Sequence, residues 1–209
     1  MLKSIQKGFT LIELIIVITI LVLLGVVVIV LIDPAEILAQ SRDSQRISDV
    51  ASLKGATQLV LASAVPSNAA TVCDITDAPD GTDTYGNATG TTSYVFSSLT
   101  TDIGASGYNQ SASTTAQSIT STGWVQIDYR TPSTGRALTS LPIDPTNTLA
   151  SGYFYRWGCN YVNSLYQYEI DTKLESAKYT VTDNKATKDG GNNSSRYESG
   201  NNLGVLRSY

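Results

Sequence analysis

The sequence has 209 residues, 42% of them hydrophobic and 15% charged, enough for one ordinary domain and an appendage but not for a many-domain enzyme. Fourteen Lys and Arg against 18 Asp and Glu leave a formal charge of −4, which argues against direct nucleic-acid binding, since that needs a basic face. Histidine is absent, which excludes Ser-His-Asp and Cys-His catalysis, His-ligated zinc and haem, and an imidazole pH switch.

The mean hydropathy of −0.03 hides an uneven distribution. Of the 24 residues from Phe9 to Ile32, 20 are apolar, the exceptions being Thr10, Glu13, Thr19 and Gly25. Leu14–Ile32 carries no charge and spans about 28 Å as a helix, which suits a hydrocarbon core about 30 Å thick. Lys3 and Lys7 precede it, so the N-terminus is expected on the cytoplasmic side and the rest outside. A secretory signal fits badly, because the run is too long and Ile32-Asp33-Pro34 follows it in place of a small-residue cleavage site. A plain signal anchor leaves Glu13 unexplained, since a carboxylate inside an apolar run costs about 2–3 kcal/mol unless a partner meets it.

The motif Lys7-Gly8-Phe9-Thr10-Leu11-Ile12-Glu13-Leu14 resembles the type IV prepilin signature, shared by pilins and pseudopilins. The resemblance implies a leader over 1–8, cleaved after Gly8 by a prepilin peptidase that also methylates the new amine of Phe9. It implies that Glu13 neutralises the Phe9 ammonium of a neighbouring subunit, the pairing that low dielectric demands of buried charges. It also implies a homo-oligomeric helical filament, built on an inner-membrane assembly platform. The subunit would be a single-pass membrane prepilin first and part of an extracellular filament later. The implied fold is α+β: a long N-terminal helix, with 9–32 as filament core and 33–65 amphipathic, packed on an antiparallel sheet of about four strands.

Between Gly25 and Pro34 the residues are mostly β-branched, and Pro34 cannot donate to the helical ladder. As in family filaments near a proline, Gly25–Pro34 is expected to unwind partly on assembly. Residues 35–64 are expected to continue as a helix, with Ile47, Val50, Leu53, Val60, Leu61 and Ala64 on one face and Val65-Pro66 ending it. Arg42, Asp43, Arg46 and Asp49 fall largely elsewhere. Their i,i+3 pairs, Asp43–Arg46 and Arg46–Asp49, suit either surface ion pairs or contacts between subunits.

Residues 66–123 change character: Gly55–Tyr129 contains no Lys or Arg, and 19 of the 43 residues from Asp80 to Thr122 are Ser or Thr. Such a stretch is expected to be a loose connection with a short strand at Ser93–Ser97, solvated or carrying glycans. Asp74, Asp77, Asp80 and Asp83 lack the alternating spacing of a calcium loop and read as a solvated turn.

The region 124–209 is expected to hold the sheet and a C-terminal loop. Trp124–Tyr129 alternates as a strand, and 153–157 with 166–171 forms an antiparallel hairpin, aromatic residues inward and polar residues outward. Leu141-Pro142-Ile143-Asp144-Pro145 followed by Tyr153-Phe154-Tyr155 resembles a passage of major pseudopilins and many bacterial pilins. Cys73 and Cys159, both expected outside the membrane, suit a disulfide closing a long loop, with two free thiols as the alternative. Asp183, Asp189, Asn192 and Asn193 around Gly190-Gly191 offer oxygen donors for Ca²⁺, and major pseudopilins hold calcium in a similar loop; Lys185 and Lys188 oppose it electrostatically. No G-x-S-x-G, phosphate loop or Cys-x-x-Cys occurs, so catalysis is not expected.

The expected function is therefore a structural subunit of a type IV pilus, serving adhesion, motility or DNA uptake. A major pseudopilin of a type II secretion system is the close alternative. A signal-anchored binding protein or enzyme that never polymerises is the distant one.

Overall fold

The computed structural model describes residues 8–63, 94–100, 117–120, 122–125, 127–130, 135–162 and 165–206. Cys73, the four aspartates at 74–83 and the Val65-Pro66 helix stop lie outside the described residues, as does most of the Ser/Thr-rich connection. The chain divides into two units, Met1–Ala39 and Gln40–Tyr209.

Helix α1 runs Leu11–Leu31 and passes through Gly25 without interruption. It ends at Ile32, whose extended backbone (φ −94°, ψ 103°) still donates to Val28 O at 3.0 Å. Helix α2 then runs Pro34–Ser63. Proline opens it because the first helical residue needs no amide donor, and Asp33 Oδ1 caps it by accepting from Ala35 N (3.0 Å) and Glu36 N (3.3 Å). In the single chain the helical break is therefore confined to Ile32–Asp33.

In the second unit, four antiparallel strands follow in sheet order β1-β2-β3-β4: Tyr94–Ser97, Arg156–Val162, Leu165–Thr172 and Tyr197–Gly200. The α+β class is as expected, and the expected hairpin is present as β2 and β3, with Trp157 opposite Ile170 and Cys159 opposite Tyr168, although its first strand runs Arg156–Val162 where 153–157 was expected. The fourth strand is not the expected one. Residues 122–125 and 127–130 form no strand but turns and bends, although Trp124, Val125, Ile127 and Tyr129 are all buried. Instead, Tyr129 N donates to Ile119 O (2.8 Å) and Ala137 N to Tyr129 O (3.2 Å), so the segment seals one end of the core as a loop. Tyr197–Gly200 takes the open edge of β3, with Ile170 opposite Ser199.

One face of the sheet meets α2 in a single core containing Val50, Leu53, Ala56, Val60, Phe96, Tyr155, Trp157, Cys159, Tyr168 and Ile170. The opposite face was expected to meet solvent. It is buried instead, with Arg156, Glu169 and Asp171 all at 2% exposure or less, because the C-terminal segment folds back across it. Gly158, opposite Glu169, makes room for this: a Cβ there would lie 2.6 Å from Leu206 Cδ2.

Candidate functional site

The candidate functional residues fall in two regions, one in each unit of the chain. At the N-terminus, Gly8 and Phe9 precede the helix, and Phe9 is 85% exposed. The Gly8–Phe9 bond therefore lies ahead of the helix, outside any regular element. Thr10 is the N-cap, with extended backbone (φ −80°, ψ 150°), and Glu13 completes a reciprocal capping box. Thr10 Oγ1 accepts from Glu13 N at 3.3 Å, and Glu13 Oε2 accepts from Thr10 N at 3.5 Å. Glu13 is itself exposed.

Beyond Glu13, every described side chain of α1 is exposed, with Leu21 at 61%, Val22 at 65% and Ile29 at 68%. Thr19 hides its hydroxyl by donating to Ile15 O at 2.7 Å. A helix apolar on all sides has no stable place in water and needs lipid or other apolar helices around it. Leu11–Ile29 is long and apolar enough to cross a membrane.

The second region lies where α2 meets the sheet and its loops. Asp43, Arg46, Val50, Leu53, Thr57 and Val60 follow one another at spacings of three and four, and all are buried. The inward stripe of α2 is thus charged at one end and apolar at the other. This corrects the expectation that the charged residues look outward or toward neighbouring subunits. Arg46 forks onto Asp144, Nε to Oδ2 at 2.7 Å and Nη2 to Oδ1 at 3.0 Å, while its Nη1 donates to Asp43 (2.8 Å) and Glu175 (2.7 Å). The expected Asp43–Arg46 pair therefore exists, but inside the protein. The Arg46–Asp49 pair does not form: Asp49 accepts from Gln45 (2.7 Å) and from the Tyr155 hydroxyl (2.7 Å).

Asp43 also accepts from Glu175 N (3.1 Å), Ser176 N (2.8 Å) and Ser176 Oγ (2.7 Å), which fixes the chain as it leaves β3. Arg42 adds a fork to Glu175 (2.6 and 3.0 Å) and with Arg46 holds that carboxyl below the ordinary glutamate range. Burial disfavours the Arg46 cation, yet Asp144 and Glu175 more than compensate and push its pKa above the usual arginine value. Asp144 comes from the Leu141–Pro145 passage, so the residue that passage contributes to this region is an anchor for the helix.

A second buried ion cluster lies on the far face of the sheet. Asp171 takes the Arg156 guanidinium and Arg196 Nε (2.8 Å), and Arg196 also donates to Phe154 O (2.8 Å) and Gly152 O (3.1 Å). Burial alone would raise the Asp171 pKa, but the two guanidiniums drive it below the ordinary aspartate range. No local pattern in the sequence signals this cluster beyond Asp171 alternating with Tyr166, Tyr168 and Ile170. The available hint was the apolar Leu203–Leu206 segment, which needed a surface to cover.

Cys159 is buried in β2 and disulfide-bonded. Cys73, the only other cysteine in the sequence, lies outside the described residues. A Cys73–Cys159 bond would close a loop of about 85 residues and is expected to contribute about 3–5 kcal/mol. Mass spectrometry of the unreduced protein should find no free thiol, and reduction should lower Tm; two alkylatable thiols before reduction would contradict this.

Of the four residues expected to hold calcium, Asp183, Asp189 and Asn193 have partners within the chain. Asp183 receives Lys185 (2.6 Å) and Lys188 (2.8 Å), which hold its pKa down at about 2. Asp189 spends its oxygens on Gly191 N (2.9 Å) and Glu198 N (2.7 Å). Asn193 Oδ1 accepts from Ser195 N (3.0 Å) and Ser195 Oγ (2.7 Å). Among the described residues no group of three or more Asp, Glu, Cys or His is placed to hold a metal ion.

Comparison with known proteins bears on the first region. Residues 3–31 match the family model described as the prokaryotic N-terminal methylation motif. That span contains Gly8, Phe9 and Glu13, and supports a precursor of the type IV pilin or pseudopilin kind. No curated protein and no solved structure matches the chain.

Proposed function

We propose that this chain is the structural subunit of a type IV pilus, polymerising through α1 into a cell-surface filament. The carrying observation is the union of a methylation-type N-terminus with a helix whose described side chains are apolar and exposed on every side. Lipid satisfies that surface while the precursor waits in the membrane, with the leader on the cytoplasmic side. Packed copies of the same helix satisfy it after assembly, where Glu13 of one subunit meets the Phe9 ammonium of the next. The Ser/Thr-rich, cation-free stretch from Asp80 to Thr122 suits display on a filament surface that contacts water and other cells.

The runner-up is a major pseudopilin of a type II secretion system, favoured by the Leu141–Pro145 passage that contains Asp144. The two readings separate on filament length and location. Negative-stain microscopy of surface material sheared from cells, with antibody against residues 156–206, should find long labelled fibres for a pilus. Absence of the chain from sheared material, with retention in the envelope, would favour the pseudopilus.

A further inference from the structure

A cavity of about 410 Å³ lies along the free edge of β4, the last strand of the sheet, and Tyr197–Gly200 all line it. That volume falls within the roughly 300–1,000 Å³ of small-molecule sites. Three lysines from two separate segments converge on it: Lys54 of α2, and Lys185 and Lys188 of the loop that follows β3. The sequence, with its net charge of −4, gave no hint that these cations meet.

The lining is rich in spare donors and short of spare acceptors. An ammonium carries three donor hydrogens. Lys185 and Lys188 each spend one on Asp183, at 2.6 and 2.8 Å, and that shared carboxylate holds the pair in place. Among the described residues no carboxylate pairs with Lys54. The acids nearby are already served from within the chain. Asp189 accepts from Gly191 N and Glu198 N, and Glu198 Oε2 accepts from Asn193 N. The formal charges balance, three ammoniums against Asp183, Asp189 and Glu198, so the lining holds no surplus charge for a row of phosphates. A divalent cation would meet three ammoniums. Tyr197, half-buried, adds a ring face and a hydroxyl, a combination that suits a pyranose.

We infer that this cavity binds a carboxylate-bearing sugar, a uronate residue of an acidic polysaccharide. Lys54 takes the carboxylate, and the Lys185–Lys188 pair donates to ring hydroxyls. One negative charge goes to the one ammonium without a counter-ion, and neutral oxygens go to the remaining donors. Every residue of the site belongs to the second unit, so the inference does not depend on filament assembly and holds for a pilus or a pseudopilus subunit alike.

The test uses the full chain in detergent micelles and titrates trigalacturonate, the matching neutral galactose trisaccharide and inorganic phosphate, followed by saturation-transfer NMR at constant ionic strength. Trigalacturonate should bind with a Kd at least about tenfold below that of the neutral sugar, the worth of one charge-assisted hydrogen bond. Phosphate should not displace it. Lys54→Gln should raise the Kd about tenfold with no loss of Tm in the free chain. Arg136→Gln removes an equal charge from an exposed position outside the cavity and should leave the Kd unchanged. The three-ligand comparison on the wild type needs no variant to fold. No saturation transfer to trigalacturonate up to about 10 mM, equal affinity for the neutral sugar, displacement by phosphate, or equal losses in the Lys54 and Arg136 variants would each overturn the site.

Discussion

Replacing Arg46 with methionine is expected to destabilise the second unit by about 3–5 kcal/mol, a fall in Tm on the order of 10 °C. The side chain is fully buried and serves three carboxylates at once, Asp43, Asp144 and Glu175. Removing the cation leaves Asp43 and Asp144 charged in low dielectric with too few donors, and that residual charge is the main cost. Methionine fills most of the volume, so the loss reports charge more than cavity. Neutralising the acids as well, in Arg46→Met with Asp43→Asn and Asp144→Asn, should recover part of it. Thermal unfolding of the full chain in micelles checks this. A triple variant no more stable than the single would show that packing, such as Arg46 over the Tyr153 ring at 4.7 Å, dominates instead.

Replacing Glu13 with alanine is expected to abolish filaments while leaving the chain stable in the membrane. The helix does not need this carboxylate to form, because its lost capping bonds amount to about 1 kcal/mol in a helix of 21 residues. In the membrane the substitution even removes a charge from an apolar segment. The deficit appears only when copies bundle, when the Phe9 ammonium of each subunit enters an apolar core without its counter-ion. Glu13→Gln should fail similarly, since an amide cannot neutralise an ammonium. Sheared surface material and membrane fractions, immunoblotted side by side, give the answer. Normal fibres from Glu13→Ala would refute the pairing.

The two predictions fall on parts of the chain that differed in how readable they were. Phe9–Ile32 and the motif around Gly8 were legible because their signals are local: a run of apolar residues, a charge out of place, a short fixed motif. The β2–β3 hairpin was legible through alternation, as was the buried stripe of α2 from Val50 onward. The polar half of that stripe was not. Arg46 is buried by carboxylates at Asp144 and Glu175, about 100 and 130 residues away in sequence, and no window along the helix reports them. Glu169 and Asp171 misled for the same reason, since a polar face looks solvent-bound until Arg196, Val205 and Leu206 return to cover it. Trp124, Val125, Ile127 and Tyr129 show the converse, where alternation gave a buried loop. The Asp183–Asn193 cluster was readable as oxygen donors, but their partners are supplied by lysines and backbone amides of the same loop.

The central claim is that a methylation-type precursor becomes a filament subunit, and the N-terminus of filament-borne protein tests it most directly. Intact-mass and N-terminal peptide spectrometry of the sheared surface fraction should find chains beginning at N-methylated Phe9, with residues 1–8 removed. Chains that retain Met1–Gly8, or the absence of this protein from every sheared fibre preparation, would contradict the account.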